Sequence, residues 1–201
     1  MAQELLLLLV GLAYALIFRL LAWVRREGFS AQFILEAVLL TLVAAGLSFL
    51  AGIRLDPILF VLLVYLVTMR ARLLVDVANL VARSGRFGPA ERFYGLAWRL
   101  GPDAVGRQVI ATNQGAALIL EGRVAEAIPL LEGVLEAPHL PPKYAAAAHY
   151  NLGVAYRSQG ETRKSKEHLH AAIEALPGSI YARRAQALLR KRAGRNADKR
   201  R

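Results

Sequence analysis

The chain offers few side chains with which to do chemistry. Its 201 residues include no cysteine, which excludes disulfides, thiolate nucleophiles and cysteine-ligated zinc or iron–sulfur sites. The histidines are His139, His149, His168 and His170. Two ligands on one helix need a spacing of three or four to share a face, and His168 and His170 stand two apart. No carboxylate cluster accompanies them. There is no glycine-rich phosphate loop, nucleophile elbow or zinc-protease motif, and no strand pattern to precede such a loop. The sequence therefore predicts no catalytic residue, no metal ligand and no cofactor. It describes a protein that binds rather than one that catalyses.

The elements that would position a binding surface separate by charge and hydropathy. Hydrophobic residues make up 56% of the chain, above the ~45–50% of an ordinary soluble domain. Residues 1–69 carry Arg19, Arg25, Arg26 and Arg54 against Glu4, Glu27, Glu36 and Asp56, so the whole net charge of +11 falls in residues 70–201. Three apolar runs occupy the neutral part: Leu5–Trp23, Ala37–Ile53 and Pro57–Met69. The first reaches across a ~30 Å hydrocarbon core at ~1.5 Å per residue. Met1-Ala2-Gln3-Glu4 lacks the basic start of a cleaved signal peptide. The third run is short alone. It becomes adequate if Leu55 and the segment after Met69 join it, with Arg70 and Arg72 reaching the interface on their long stems. The other reading is a buried or re-entrant helix.

Arg25 and Arg26 flank the first loop, and Arg70 and Arg72 the end of the third run. With three spans, both lie on one side, and the positive-inside rule makes that side cytoplasmic. The expected placement is the plasma (inner) membrane, with the N-terminus outside. Asp56-Pro57 reads as a helix start. Gly11 and Ala15, and Ala44, Ser48 and Gly52, recur every four positions, which leaves a groove for close helix packing. Arg19 and Glu36 are expected to snorkel to the interface or to pair with each other.

The second half repeats. Gly85, Gly122 and Gly160 stand between helix-like stretches at spacings of 37 and 38. Five residues on comes a small residue (Ala90, Ala127, Ser165), and four further a bulky one (Tyr94, Leu131, Leu169). Each glycine can take a left-handed turn between two helices, and each small residue lets the helices approach. One hairpin cannot bury its apolar face, so copies must stack. In the third copy, Leu152-Gly153, Tyr156, Gly160, Leu169, Ala172 and Pro177 stand at signature places of the tetratricopeptide repeat, which residues 71–179 resemble. His149 stands where that family prefers Trp, and Val77-Ala78 replaces Leu-Gly in the first copy. The residues in excess of 34 per copy fall near Asp103–Gly106 and His139–Pro142, where they should lengthen turns.

The resemblance implies a concave surface lined by the first helix of each repeat, taking an extended peptide or a helix. It points to Asn79, Arg83, Asn113, Tyr150, Asn151 and Arg157. Some members of the family grip a C-terminal carboxylate with Lys, Arg and Asn. Here Asn79 and Asn113 match that set, while Val75, Ala147 and Asn151 replace its basic members.

The expected architecture is thus all-α. Residues 1–70 form a three-helix transmembrane anchor. Residues 71–192 form a tetratricopeptide-like α-solenoid of about three hairpins, with a capping helix from Ile180 whose apolar side is Ile180, Ala187 and Leu188. Residues 193–201 form a basic, disordered tail. With no Gly or Pro between Pro57 and Ser84, the third apolar run and the first repeat helix are expected to be one continuous helix. The partners expected are another protein, as scaffold or as accessory membrane-complex subunit, and membrane lipid with anionic headgroups. Nucleic acid is disfavoured, since the basic tail has no interleaved aromatics.

Overall fold

The computed structural model describes residues 2–198, and the side chains of residues 3–190. All the regular structure described is helical. Local signals set the boundaries of the first helices. Ser30 accepts from the Phe33 amide at 3.1 Å and starts α2 (Ala31–Ala51), antiparallel to α1 (Ala2–Val24). Gly52, at φ 64°, ends α2 in the left-handed conformation that glycine adopts without a Cβ penalty. Asp56 accepts from the amides of Ile58 and Leu59 at 2.9 and 3.0 Å, and Pro57 opens α3 (Pro57–Thr68).

α1 and α2 are each long and apolar enough to cross a bilayer. α3 is not so alone: its 12 residues span about 18 Å against a core of ~30 Å. The expected continuous helix from Pro57 to Ser84 does not form. The chain breaks at Met69 and turns by 71° into α4 (Arg70–Arg83). No Gly or Pro causes this. α4 instead follows its amphipathic face onto the repeats, burying Val75, Ala78 and Ala82.

α4 pairs with α5 (Phe87–Arg99), α6 (Ala104–Glu121) with α7 (Val124–Leu135), and α8 (Pro142–Ser158) with α9 (Thr162–Ala175). Gly85, Gly122 and Gly160 all have φ near +80 to +90° at the hairpin turns. A Cβ on Gly115 would come within 2.7 Å of Leu131, and one on Gly153 within 2.8 Å of Leu169. The two hairpins thus close around the same small-against-large pair. First helices α4, α6, α8 and α10 (Ile180–Asp198) touch in sequence, whereas α5, α7 and α9 do not touch one another. The first helices therefore make the inner layer of an arc.

α10 covers the last hairpin with Ala182, Ala185, Leu188 and Leu189. Of the side expected from sequence only Leu188 takes part; Ile180 and Ala187 are exposed. The helix also runs on to Asp198, past Arg192, where a disordered tail was expected to begin. Residues 199–201 of that tail lie outside the described residues.

Candidate functional site

Two surfaces compete for the role of binding site: the inner face of the arc and its junction with the apolar helices.

On the inner face, the asparagines are turned inward. Asn79 Nδ2 donates to Asn113 Oδ1 at 2.9 Å, and the Tyr94 hydroxyl donates to Asn79 Oδ1 at 2.6 Å. Asn113 Nδ2 donates to the Val109 carbonyl at 2.7 Å. Asn151 is buried and donates to the Thr112 carbonyl at 3.4 Å. These three residues stitch α4 to α6 and α6 to α8. Arg83 is exposed, Arg157 is half-buried, and Tyr150 packs its ring 6.1 Å from that of Tyr181. Of the six residues predicted, these three keep side chains toward solvent.

The small residues of the apolar block are spent internally. Gly11 faces Thr41 with no room for a Cβ. Ala15, Ala44 and Ser48 are buried, while Gly52 is exposed and serves as the end of α2. Arg19 and Glu36 do not pair. Arg19 lies over the Phe29 ring, 4.4 Å from its centre. Glu36 instead takes Arg70 through both oxygens, at 2.5 and 2.7 Å. The break at Met69 is what brings Arg70 to it.

The junction was not foreseen. Glu27, 4% exposed, accepts from Arg72 at 2.6 Å and from Lys143 at 2.5 Å. Burial opposes its ionisation, but the Lys143 hydrogen bond and the Arg72 charge outweigh it, and its pKa lies below the usual carboxylate value. Arg72 also donates to the Tyr144 hydroxyl at 3.2 Å. Beside this, two helix caps interlock. Ser30, the cap of α2, donates to Asp103 at 2.6 Å, and Asp103 caps α6 by accepting from the Gly106 amide at 2.8 Å. The Asp103 amide donates to Gln32, and Gln32 to Glu36. Gly28, at φ 86°, sits where a Cβ would meet Pro141. Asp103, Pro141 and Lys143 come from or next to the extra residues between repeats, the one sequence signal that marks this face.

One polar pair lies within the third hairpin. His149 Nδ1 and His168 Nδ1 are 3.0 Å apart, and Tyr156 stacks on His168 while donating to Glu132 at 2.7 Å. Burial pushes both imidazoles down in pKa, and His168 adds to this for His149. Among the described residues no group of three potential ligands could hold a metal.

The fold is that of a helical-repeat arc joined to apolar helices. Residues 118–189, from the end of α6 into α10, match the family model described as tetratricopeptide repeat. This segment, about a third of the chain, is similar to the tetratricopeptide repeat. The comparisons with curated proteins and with solved structures return no match.

Proposed function

We propose that the protein is a membrane-anchored scaffold or assembly factor, recruiting another protein at the cytoplasmic face of the plasma (inner) membrane. The observation that carries this reading is the junction: two helices long enough to cross a bilayer are tied by part-buried ion pairs and bonded caps to a tetratricopeptide-like arc. Tetratricopeptide domains generally bind other proteins. The basic loop at Arg25-Arg26 and the basic arc argue for one common, cytoplasmic side. Arg83, Tyr150 and Arg157 are the side chains of the inner face left to meet a partner, and the asparagines give that face its shape. The surplus of positive charge favours an acidic partner segment or anionic lipid over nucleic acid.

A photo-crosslinking residue at Tyr150, in the full chain in its native membrane, tests this. One discrete adduct is expected, and it is lost when R83E and R157E are combined while the chain stays in the membrane. Adducts from Leu50 or Ile58 alone would favour an accessory subunit of a membrane complex. Release of the chain by alkaline carbonate would overturn the anchor.

A further inference from the structure

α3 ends halfway along α1. At one end Gln3 Nε2 donates to the Leu55 carbonyl at 3.1 Å; at the other the Tyr14 and Thr68 hydroxyls meet at 2.7 Å. α1 runs on from Ala15 to Val24, about 15 Å further at 1.5 Å per residue. It packs on α2 and α3 and on no later helix. Where a third helix would have continued, the turn at Met69 leaves a cavity of about 510 Å³ between the apolar helices and the inner edge of the arc. Phe18, Leu21 and Phe33 line its apolar side.

The charges around this cavity do not cancel. Arg19, Arg25, Arg70, Arg72 and Lys143 line it, against Glu27, Glu36, Asp76 and Asp103. Glu36 takes Arg70; Glu27 takes Arg72 and Lys143; Asp103 takes Ser30 and the Gly106 amide. Asp76 is exposed on α4, in the field of Arg72. Arg19 and Arg25 have no carboxylate partner among the described residues, and both are exposed. They sit in the last turns of α1 and just past it, where a helix crossing a bilayer meets the headgroups. Thr112 also lines the cavity; it is 4% exposed and its hydroxyl has no partner. A buried hydroxyl left so is costly unless something fills the space before it.

We infer that this cavity holds one anionic phospholipid, its phosphate between Arg19 and Arg25 and its acyl chains along Phe18, Leu21 and Phe33. Guanidinium groups suit a phosphate because their planar donors match its oxygens. The apolar wall continues into the lipid-facing surface of α1, so a soluble anion would leave half of the site empty. The inference rests on α1 and α2 lying in a bilayer.

The test is native mass spectrometry of the full chain, purified in mild detergent with added phosphatidylglycerol or phosphatidylcholine. One retained phosphatidylglycerol per chain is expected, with no retained phosphatidylcholine. R19Q combined with R25Q should weaken retention about thirtyfold, from two lost cation–headgroup contacts. R19K with R25K should keep most of it, which separates loss of charge from loss of fold. Equal retention by wild type and the glutamine pair overturns the site. Displacement of the lipid by millimolar inorganic phosphate identifies a free anion as the occupant and also overturns it. A chain that stays in solution without detergent sinks the membrane reading itself, a failure distinct from either.

Discussion

The apolar helices and the repeat arc bury their side chains by different rules. In α1–α3 most large aliphatic side chains point outward, with Leu50 83% exposed and Ile58 81%, although Leu7 is fully buried; other buried positions include small or aromatic residues such as Ala37, Ala44, Tyr14 and Phe60. In the arc, Leu131 and Leu152 are fully buried, and Leu131 is pressed against Gly115. Water makes the second arrangement compulsory, because apolar area left exposed there costs about 25 cal/mol per Å². Lipid removes that cost, so close approach between helices decides what is buried. With α1 and α2 in a bilayer as proposed, an outward leucine such as Leu50 would be solvated by lipid, whereas Leu131 holds a hairpin together.

A pair of leucines gives the largest contrast. Leu131→Ala should destabilise the arc by about 3 kcal/mol through the cavity it leaves. Leu50→Ala should change stability by less than about 0.5 kcal/mol, since it removes no buried contact. Thermal unfolding followed by circular dichroism in detergent reads both. Comparable losses would mean that α2 is packed against protein and not lipid.

Glu27→Gln cuts the two regions apart without touching either core. It leaves Arg72 and Lys143 without their carboxylate, and a cost of about 1–2 kcal/mol is expected, between an exposed and a fully buried pair. Faster tryptic cleavage at Arg25-Arg26 should report the loosened junction. The same carboxylate responds to acid. Its folded pKa is depressed, so its contribution is full above the ordinary value and is lost as pH falls through the folded one.

The histidine pair predicts a smaller, separate acid effect inside the arc. Both imidazoles are held below the ordinary value of 6.5, so the unfolded chain takes up protons first as pH drops. Stability is then full above about 6.5 and declines below it. Melting temperature measured from pH 7.5 to 5.5 should fall in wild type and fall less in His168→Gln. Parallel slopes would remove the pair from the account. Smallest of all, Arg163→Ala breaks an exposed contact to Glu167, in which Arg163 is 82% exposed. It should move the melting temperature by less than about 1 °C.

Much of the arc is legible in the sequence because its signals are local. A glycine, a small residue five places on and a bulky residue four further fix one hairpin, and the hairpins then stack. The His149–His168 pair follows from the same register: one turn back from Gly153 on α8 meets a position three past Ser165 on α9, and Ser165 donates to the Gly153 carbonyl at 2.7 Å. Its spacing of 19 hides it from a search along a single helix. The turn at Met69 is a different matter. Nothing in Val67-Thr68-Met69-Arg70 breaks a helix, and the bend comes from where α4 must lie to bury Ala78 and Ala82. The junction is hidden for a related reason. Ser30 and Asp103 are 73 residues apart, and Glu27 and Lys143 are 116 apart, so no periodicity connects them. Only the lengthened inter-repeat turns hint that this edge of the arc has something to meet.

The shared caps of α2 and α6 have a mechanical consequence. Ser30 and Asp103 each cap their own helix, and the hydrogen bond between them joins the two helix starts directly. With α1 and α2 in a bilayer as proposed, a helix that leans to match its thickness would carry α6 with it through this bond. On that placement the arc would act as a lever with its fulcrum at the headgroups, and a few degrees of lean within the lipid would become a sweep of its far end through the water.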